Sequence, residues 1–270
     1  METQAEKAAD FARLHERGCF VIPNPWDRGT ARLLAGLGFR ALTTTSAGYA
    51  RSLGVSDYQA GRDHVLVHVR DLVTATDLPL AADLENGFGH APEDCAETIR
   101  LGAEAGLVGG SIEDATGDER VIYEIAEAAD RIRAAAEAAK GLPFKFMLVA
   151  RCENYLHGRA DLVDTIARLQ AYQEAGADVL YAPGISTAEE IGEICRSVDR
   201  PVNVLGGIGK KPLSVCELAE LGVRRVSLGS WLHSAAMTAF VNAAQDESFG
   251  YIAELIGGRQ MDQWMKEGAG

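Results

Sequence analysis

The chain lacks any run of about 18 uninterrupted apolar residues, the length a membrane-spanning helix needs. Its first residues, METQAEKAADFARLHERG, are polar and amphipathic, without the apolar core of a secretion signal. Positive charge is scarce: 26 Lys and Arg stand against 39 Asp and Glu, a formal net charge of −13. A sequence-independent nucleic-acid binder needs a basic face, and docking on an anionic membrane needs the same, so neither partner is expected. The deficit does not exclude an anionic substrate, because one local Arg with a metal outweighs the global field. Cysteines are few and odd in number, five at positions 19, 95, 152, 195 and 216, and none forms a C-x-x-C pair. That excludes a disulfide framework and a zinc knuckle and points to a reducing cytoplasm. No G-x-S-x-G elbow or Walker loop is present. GGIGK after Leu205 is glycine-rich but lacks the P-loop spacing.

What is present is a repeat. Ala/Glu/Leu-rich segments end in Gly and run straight into aliphatic stretches, as in LLAGLGFRALTTTS, GAEAGLVGGSIED, YQEAGADVLYAPG and LAELGVRRVSLGS. Gly just past a helix supplies a left-handed cap, and the short loop then feeds a buried strand. Eight strand candidates follow: Phe20–Pro23, Ala41–Thr45, Leu80–Leu84, Gly109–Ile112, Phe146–Ala150, Val179–Tyr181, Val202–Leu205 and Val226–Leu228. Helical stretches lie between them, at Tyr58–Ala75, Ala91–Ala105, Arg120–Ala139, Asp161–Ala175 and Leu213–Leu221. Alternating strands and helices imply a parallel sheet. The 270 residues suit one α/β domain, a (β/α)8 TIM barrel, which typically takes about 250. An open doubly wound sheet is the alternative, but no G-x-G-x-x-G follows an early strand. A helix over Thr3–Glu16 precedes the repeat. A helical tail over 234–270, with Tyr, Ile, Leu, Met and Trp, follows it and is expected to serve oligomerisation.

Active sites of such barrels sit at the C-terminal strand ends. There the chain offers Asn24, Trp26 and Asp27; Thr43, Thr44, Thr45 and Ser46; Asp83, Glu85 and Asn86; Glu113 and Asp114; Arg151, Glu153 and Asn154; Asn203; and Ser227, Ser230 and Trp231. The acids Asp83, Glu85, Glu113 and Asp114 converge on one region, where clustered carboxylates either take up protons or hold a cation. An all-oxygen set suits Mg2+, or Mn2+, better than Zn2+. Asp83 and Glu85, two apart on a strand, are expected to share a face and a metal shell, directly or through water. Such acids also cap helices, and Asp27 and Asp114 read as structural. Arg151 after KFMLVA could hold a substrate carboxylate bidentately, or pair with Glu153. The small Ser46-Ala47-Gly48 turn could form an anion nest. His15, His64 and His68 read as helix-surface residues. His90 and His157 border the site, and Cys152 is expected to pack.

This set resembles the isocitrate lyase/phosphoenolpyruvate mutase superfamily. The matching segments are NPWDRGTARLLAGLGFRALTTTSAGYARSLGVSD, PLAADLENGFGHAPEDCAETIRLGAEAGLVGGSIED and FMLVARCENY, with PVNVLGG a looser match. The resemblance implies a (β/α)8 barrel with a helix swapped between subunits of a homodimer or homotetramer. It implies Asp83 as direct Mg2+ ligand, Glu85 holding the metal through water, and Glu113 also metal-linked. Asp57 in GVSD matches a loop acid near the substrate. Thr44 precedes the matching turn, in which Ser46, Ala47 and Gly48 bind the substrate carboxylate. Arg151 contacts the substrate, and Asn203 helps hold a second carboxylate.

The chain departs from the lyases of this superfamily in one place. They carry K-[KR]-C-G-H after the E-D pair, whereas this chain reads SIEDATGDERVIYE, with no Cys, Lys or His there. The longer Lys- and Asn-bearing loop of the phosphonate-forming mutases and phosphonopyruvate hydrolases is missing too. Asp118, Glu119, Arg120 or a residue elsewhere must then supply any acid. Three functions stay open. The first is Mg2+-dependent carbon–carbon cleavage of a small 2-oxo or 2-hydroxy di- or tricarboxylic acid through an enolate, in the manner of a methylisocitrate lyase or oxaloacetate decarboxylase, with pyruvate-, oxaloacetate- or 2-oxoglutarate-like molecules as ligands. The second is hydrolysis or transfer of a phosphoryl group of phosphoenolpyruvate or phosphonopyruvate. The third is a non-catalytic 2-oxo acid binder.

Overall fold

The computed structural model describes residues 2–118 and 121–270. Eight short strands carry the frame: β1 (Phe20–Ile22), β2 (Leu42–Thr43), β3 (Leu80–Asp83), β4 (Gly109–Glu113), β5 (Met147–Arg151), β6 (Val179–Tyr181), β7 (Val202–Leu205) and β8 (Arg225–Ser227). All are parallel in one sheet, ordered β1-β8-β7-β6-β5-β4-β3-β2. The gap between β1 and β2 is bridged by the Thr43 N–H, which donates to the Pro23 carbonyl at 3.1 Å. Asn24 reinforces it: its amide donates to the Thr44 carbonyl at 2.8 Å and accepts from the Leu228 N–H at 2.9 Å. A strand-end polar residue thus stitches β1 to both neighbours. The result is the expected (β/α)8 barrel.

Strand alternation sorts the core into two layers. Outward residues such as Leu42, Ala82, Ile112, Leu148, Leu180 and Val226 meet the helices. Inward residues, among them Phe20, Ile22, Ala81, Met147, Val149 and Tyr181, fill the barrel. The helices are α1 (Gln4–Leu14), α2 (Arg28–Gly36), α3 (Ser46–Ser52), α4 (Arg62–Val73), α5 (Pro92–Glu104), α6 (Ile125–Lys140), α7 (Leu162–Ala175), α8 (Ala188–Ser197), α9 (Val215–Glu220), α10 (Trp231–Gln245) and α11 (Gly258–Glu267). The amphipathic α1, started by a Thr3/Glu6 capping box, plugs the barrel floor with Phe11. Gly109 makes room for that ring, since a Cβ there would lie 2.9 Å from it. His15 follows, buried between Phe11 and Phe20. His68 is buried as well, stacked on Tyr49 with ring centroids 3.8 Å apart. Both were expected on helix surfaces; their apolar ring faces pack while only one nitrogen of His15 finds a partner.

Element boundaries moved where loops use special backbone. The helix expected from Tyr58 starts at Arg62, because Tyr58 and Gly61 have positive φ. The one expected from Arg120 starts at Ile125, because Ala115 and Ile122 bridge antiparallel after β4. The Ser46-Ala47-Gly48 turn is the first turn of α3, with Thr45 as its N-cap.

The tail is helical as expected. Helix α10 buries only His233 and exposes Phe240, Val241 and Met237. Among the described residues no helix is long and apolar enough to cross a membrane. Helix α11 returns to the barrel and packs on α2 through glycine: a Cβ on Gly36 would stand 2.2 Å from the Trp264 carbonyl oxygen. Gly36→Ala is therefore expected to lift α11 off while the barrel stays folded. Limited proteolysis should then cut within residues 246–258, with a red shift of tryptophan emission. Unchanged protease resistance would contradict this docking.

Candidate active site

Arg151, the last residue of β5, organises the barrel mouth. Its guanidinium meets Asp83 Oδ1 at 3.0 Å, Glu113 Oε2 at 3.0 Å and Glu153 Oε1 at 2.9 Å. One positive charge against three carboxylates leaves the mouth anionic, before Asp57 and Glu85 are counted. Tyr58 closes the cluster from the loop after α3, its hydroxyl donating to Glu113 Oε1. Asp83 is held from two other sides. Ser46 donates to its Oδ2 at 3.1 Å, and its own N–H donates to the Thr44 hydroxyl at 3.0 Å.

The titration behaviour follows from burial and like charge. Burial raises Asp57 above the usual carboxylate range, and Asp83 adds to it. Burial, then Asp83 and Asp57, push Glu85 up to about 8. Glu113 is also raised by burial, although Arg151 opposes it. Arg151 is kept firmly charged: burial alone would lower it, but Glu113, Glu153 and Asp83 outweigh that.

The pocket in the mouth is small, about 170 Å³, and is lined among others by Thr44, Ser46, Ala47, Asp57, Asp83, Arg151, Tyr181, Asn203, Arg225 and Ser227. Drug-sized ligands occupy roughly 300–1,000 Å³, so this one suits a small acid rather than a nucleotide. A wider groove of about 730 Å³ lies alongside, between residues 58–64, 85–90 and 116–117. It lacks the convergent charges, and the mouth pocket is the better candidate.

The sequence-derived residues distribute unevenly. Thr44, Ser46, Ala47, Asp57, Asp83, Arg151 and Asn203 line the mouth pocket together. Gly48 does not line it, and its N–H donates to Thr45 Oγ1 at 3.2 Å. The N–H groups of Ser46 and Ala47 have no acceptor among the described residues. Glu85 was expected to share a strand face with Asp83. The strand stops at Asp83, Glu85 has φ +50°, and its side chain lines the neighbouring groove instead. Glu113 faces Arg151 and Tyr58. Among the described residues no three His, Cys, Asp or Glu side chains converge closely enough to grip an ion together. The donors present are all oxygens, a set whose chemistry fits a hard cation rather than Zn2+.

Asp114 is structural, as expected. It accepts from the Glu153 N–H at 2.8 Å, Arg168 at 3.0 Å and the Tyr172 hydroxyl at 2.6 Å, tying β4 to β5 and α7. Asp27 caps α2, and Cys152 is buried in the outer layer. Asp118 is exposed in the bridged segment after β4, outside the mouth pocket. Glu119 and Arg120 lie outside the described residues. Sequence reasoning missed Tyr58, Tyr181 and Arg225. For Arg225 a signal existed: period two on RVS puts Arg225 and Ser227 on one face.

The model of the phosphoenolpyruvate phosphomutase family matches residues 11–247. The chain belongs to this family. A Burkholderia cenocepacia crystal structure, described as a candidate lyase/mutase, is 57% identical with a TM-score of 0.94, over 97% of each chain. An uncharacterized Mycobacterium tuberculosis protein is 32% identical over 89% of each chain. The oxaloacetate decarboxylase of Paraburkholderia xenovorans is 27% identical over 95% of this chain and 87% of its own. A phosphonopyruvate hydrolase solved with oxalate and Mg2+ shares the fold, at 23% identity and a TM-score of 0.83 over 97% of this chain and 95% of its own. The relatives with a named activity, a 2-methylisocitrate lyase and the oxaloacetate decarboxylase, are enzymes of small carboxylic acids.

The raised carboxylates predict a pH dependence. Glu85 has an ordinary value of 4.5 and titrates at about 8 in the fold, so between those values the folded state binds more protons than the unfolded. Stability in a chelator should therefore fall as pH rises from about 5 to 8. Glu85→Gln should raise the melting temperature at pH 8 by several degrees and leave it little changed at pH 5. An equal shift at both values would contradict this account of Glu85.

Proposed function

We propose that this chain is a Mg2+-dependent carbon–carbon lyase or decarboxylase for a small 2-oxo or 2-hydroxy di- or tricarboxylic acid, working through an enolate. The carrying observation is Arg151, fixed by three carboxylates at the edge of a pocket too small for larger ligands. Likeness to an oxaloacetate decarboxylase along nearly the whole chain supports the same chemistry. Mg2+, or Mn2+, would be held by Asp83, with Glu85 and Glu113 acting through water. When bound there it supplies Lewis-acid charge to an oxygen that turns negative.

The chain's own groups have separable tasks. The free N–H groups of Ser46 and Ala47, beside Thr44, would orient the substrate carboxylate. Gly48 would keep that turn tight. Arg151 would donate to the C2 oxygen as charge develops on it, a preorganised contact that costs no reorganisation during reaction. In a decarboxylation the bond from C3 to the departing carboxylate breaks. Its electron pair passes into the enolate, CO2 leaves, and C3 then takes a proton. Asp57, which burial and then Asp83 make hold its proton more firmly than an ordinary acid, lines the pocket and would serve as the proton carrier. Asn203 would help hold a second carboxylate. Lys210 and Lys211, the basic pair nearest in sequence for a phosphoryl group, do not line this pocket.

Oxalate, a planar mimic of pyruvate enolate, is the probe. Isothermal titration should give binding that requires Mg2+. Asp83→Ala should abolish that binding in a folded protein, and Arg151→Lys should weaken it about tenfold or more, because a point charge cannot replace the fork. Oxalate affinity unchanged in Asp83→Ala would sink the metal assignment. Turnover across a panel of 2-oxo and 2-hydroxy acids separates an enzyme from a binder.

We also propose that α10 meets a second copy of this chain, in a homodimer or homotetramer, because its apolar side chains find no cover in one subunit. Phe240→Asp should shift the sedimentation coefficient toward monomer. A wild-type monomer would refute the assembly.

A further inference from the structure

One row of strand partners crosses the barrel from mouth to floor. Glu113 pairs with Arg151, Arg151 with Tyr181, Tyr181 with Asn203, and Asn203 with Arg225. Arg151 ends its strand, whereas Arg225 begins its own. Strands tilted to the barrel axis make such a row descend. From Arg151 onward its residues, Arg151, Tyr181, Asn203 and Arg225, line the mouth pocket, so the pocket reaches down to Arg225.

Arg225 is unusually placed. It is only 4% exposed. Its Nε and Nη1 have no hydrogen-bond partner and it makes no ion pair among the described residues. The ring of Phe11, 5.9 Å away, is its floor contact. A buried guanidinium without an anion is costly, and ordinary folds avoid it. Next to it Asn203 Oδ1 is also unpartnered, while Asn203 Nδ2 donates to Ser227 Oγ at 3.0 Å. Turning that amide over would let the Ser227 hydroxyl donate to Oδ1 and present Nδ2 to the same space. The foot of the pocket then offers only donors, which is the chemistry of a carboxylate site. By contrast Arg151 at the top already pairs with three carboxylates.

We infer that Arg225 is the specificity-determining cation of this pocket, receiving the carboxylate remote from C2 of a dicarboxylic 2-oxo substrate whose C2 oxygen lies at Arg151. This rests on the enolate chemistry proposed above and adds the residue that selects two carboxylates over one. The unpaired charge is retained at a cost in stability because the ligand neutralises it.

The test compares oxalate, which has no distal arm, with 3,3-difluorooxaloacetate, which has one, both with Mg2+, on wild type, Arg225→Met and Arg225→Lys. Arg225→Met should keep oxalate affinity within about twofold and weaken difluorooxaloacetate about 30-fold or more. Arg225→Lys should recover part of that loss. Ligand-free Arg225→Met should melt at or above the wild-type temperature, because it loses a buried unpaired charge. A lower melting temperature together with equal loss of both probes would mark Arg225 as structural and overturn the inference. Unchanged difluorooxaloacetate affinity would overturn it as well. If wild type ignores oxalate, the enolate reading fails, and succinate then decides the floor site. Succinate binding lost in Arg225→Met upholds a carboxylate floor, while succinate binding unchanged or absent in wild type removes it.

Discussion

The barrel mouth depends on one guanidinium shared among three carboxylates. Arg151 fixes Asp83, Glu113 and Glu153, which come from three different strand ends. Without it those acids would repel one another in a partly dry site and take up protons. With it they stay close while the site as a whole keeps excess negative charge. That excess is what makes a divalent cation welcome there. Burial, reinforced by the negative charge of Asp83, makes Asp57 and Glu85 hold their protons to higher pH.

Behind the mouth stands a second polar system that keeps the first in place. Asp114 follows Glu113 directly but points the other way, into Arg168, Tyr172 and the Glu153 N–H. One side chain of the E-D pair serves the pocket and the other braces β5 against α7. Period two along a strand makes this division possible. The same alternation places Cys152 in the outer layer between Arg151 and Glu153. Chemistry and scaffold are interleaved residue by residue at these strand ends.

Much was legible because it depended on local pattern. All eight strands fell within about two residues of their expected bounds, since aliphatic runs after Gly-capped helices have few other uses. Asp83, Arg151 and Asn203 could be read as pocket residues because strand ends are where such folds put their polar groups, whereas Asp57 came only from the resemblance of GVSD. Positions governed by positive φ were not legible. Glu85 leaves the face of Asp83, and Tyr58 begins a loop rather than a helix, because each adopts a left-handed backbone that nothing in its identity advertises. Of the three histidines expected at the surface, His64 is exposed, whereas His15 and His68 are covered by contacts distant in sequence or on neighbouring helices.

By itself the sequence determined the architecture, the strand-end inventory and the anionic balance, because periodicity, capping and net charge are written in consecutive residues. Only the tertiary structure decided which acids share Arg151, that Gly48 is used within its helix, and that Arg225 stands unpaired at the foot of the pocket. Those outcomes depend on strand register around a closing barrel, where a residue at the start of one strand lines the same pocket as the end of another three strands away. No local pattern encodes that meeting.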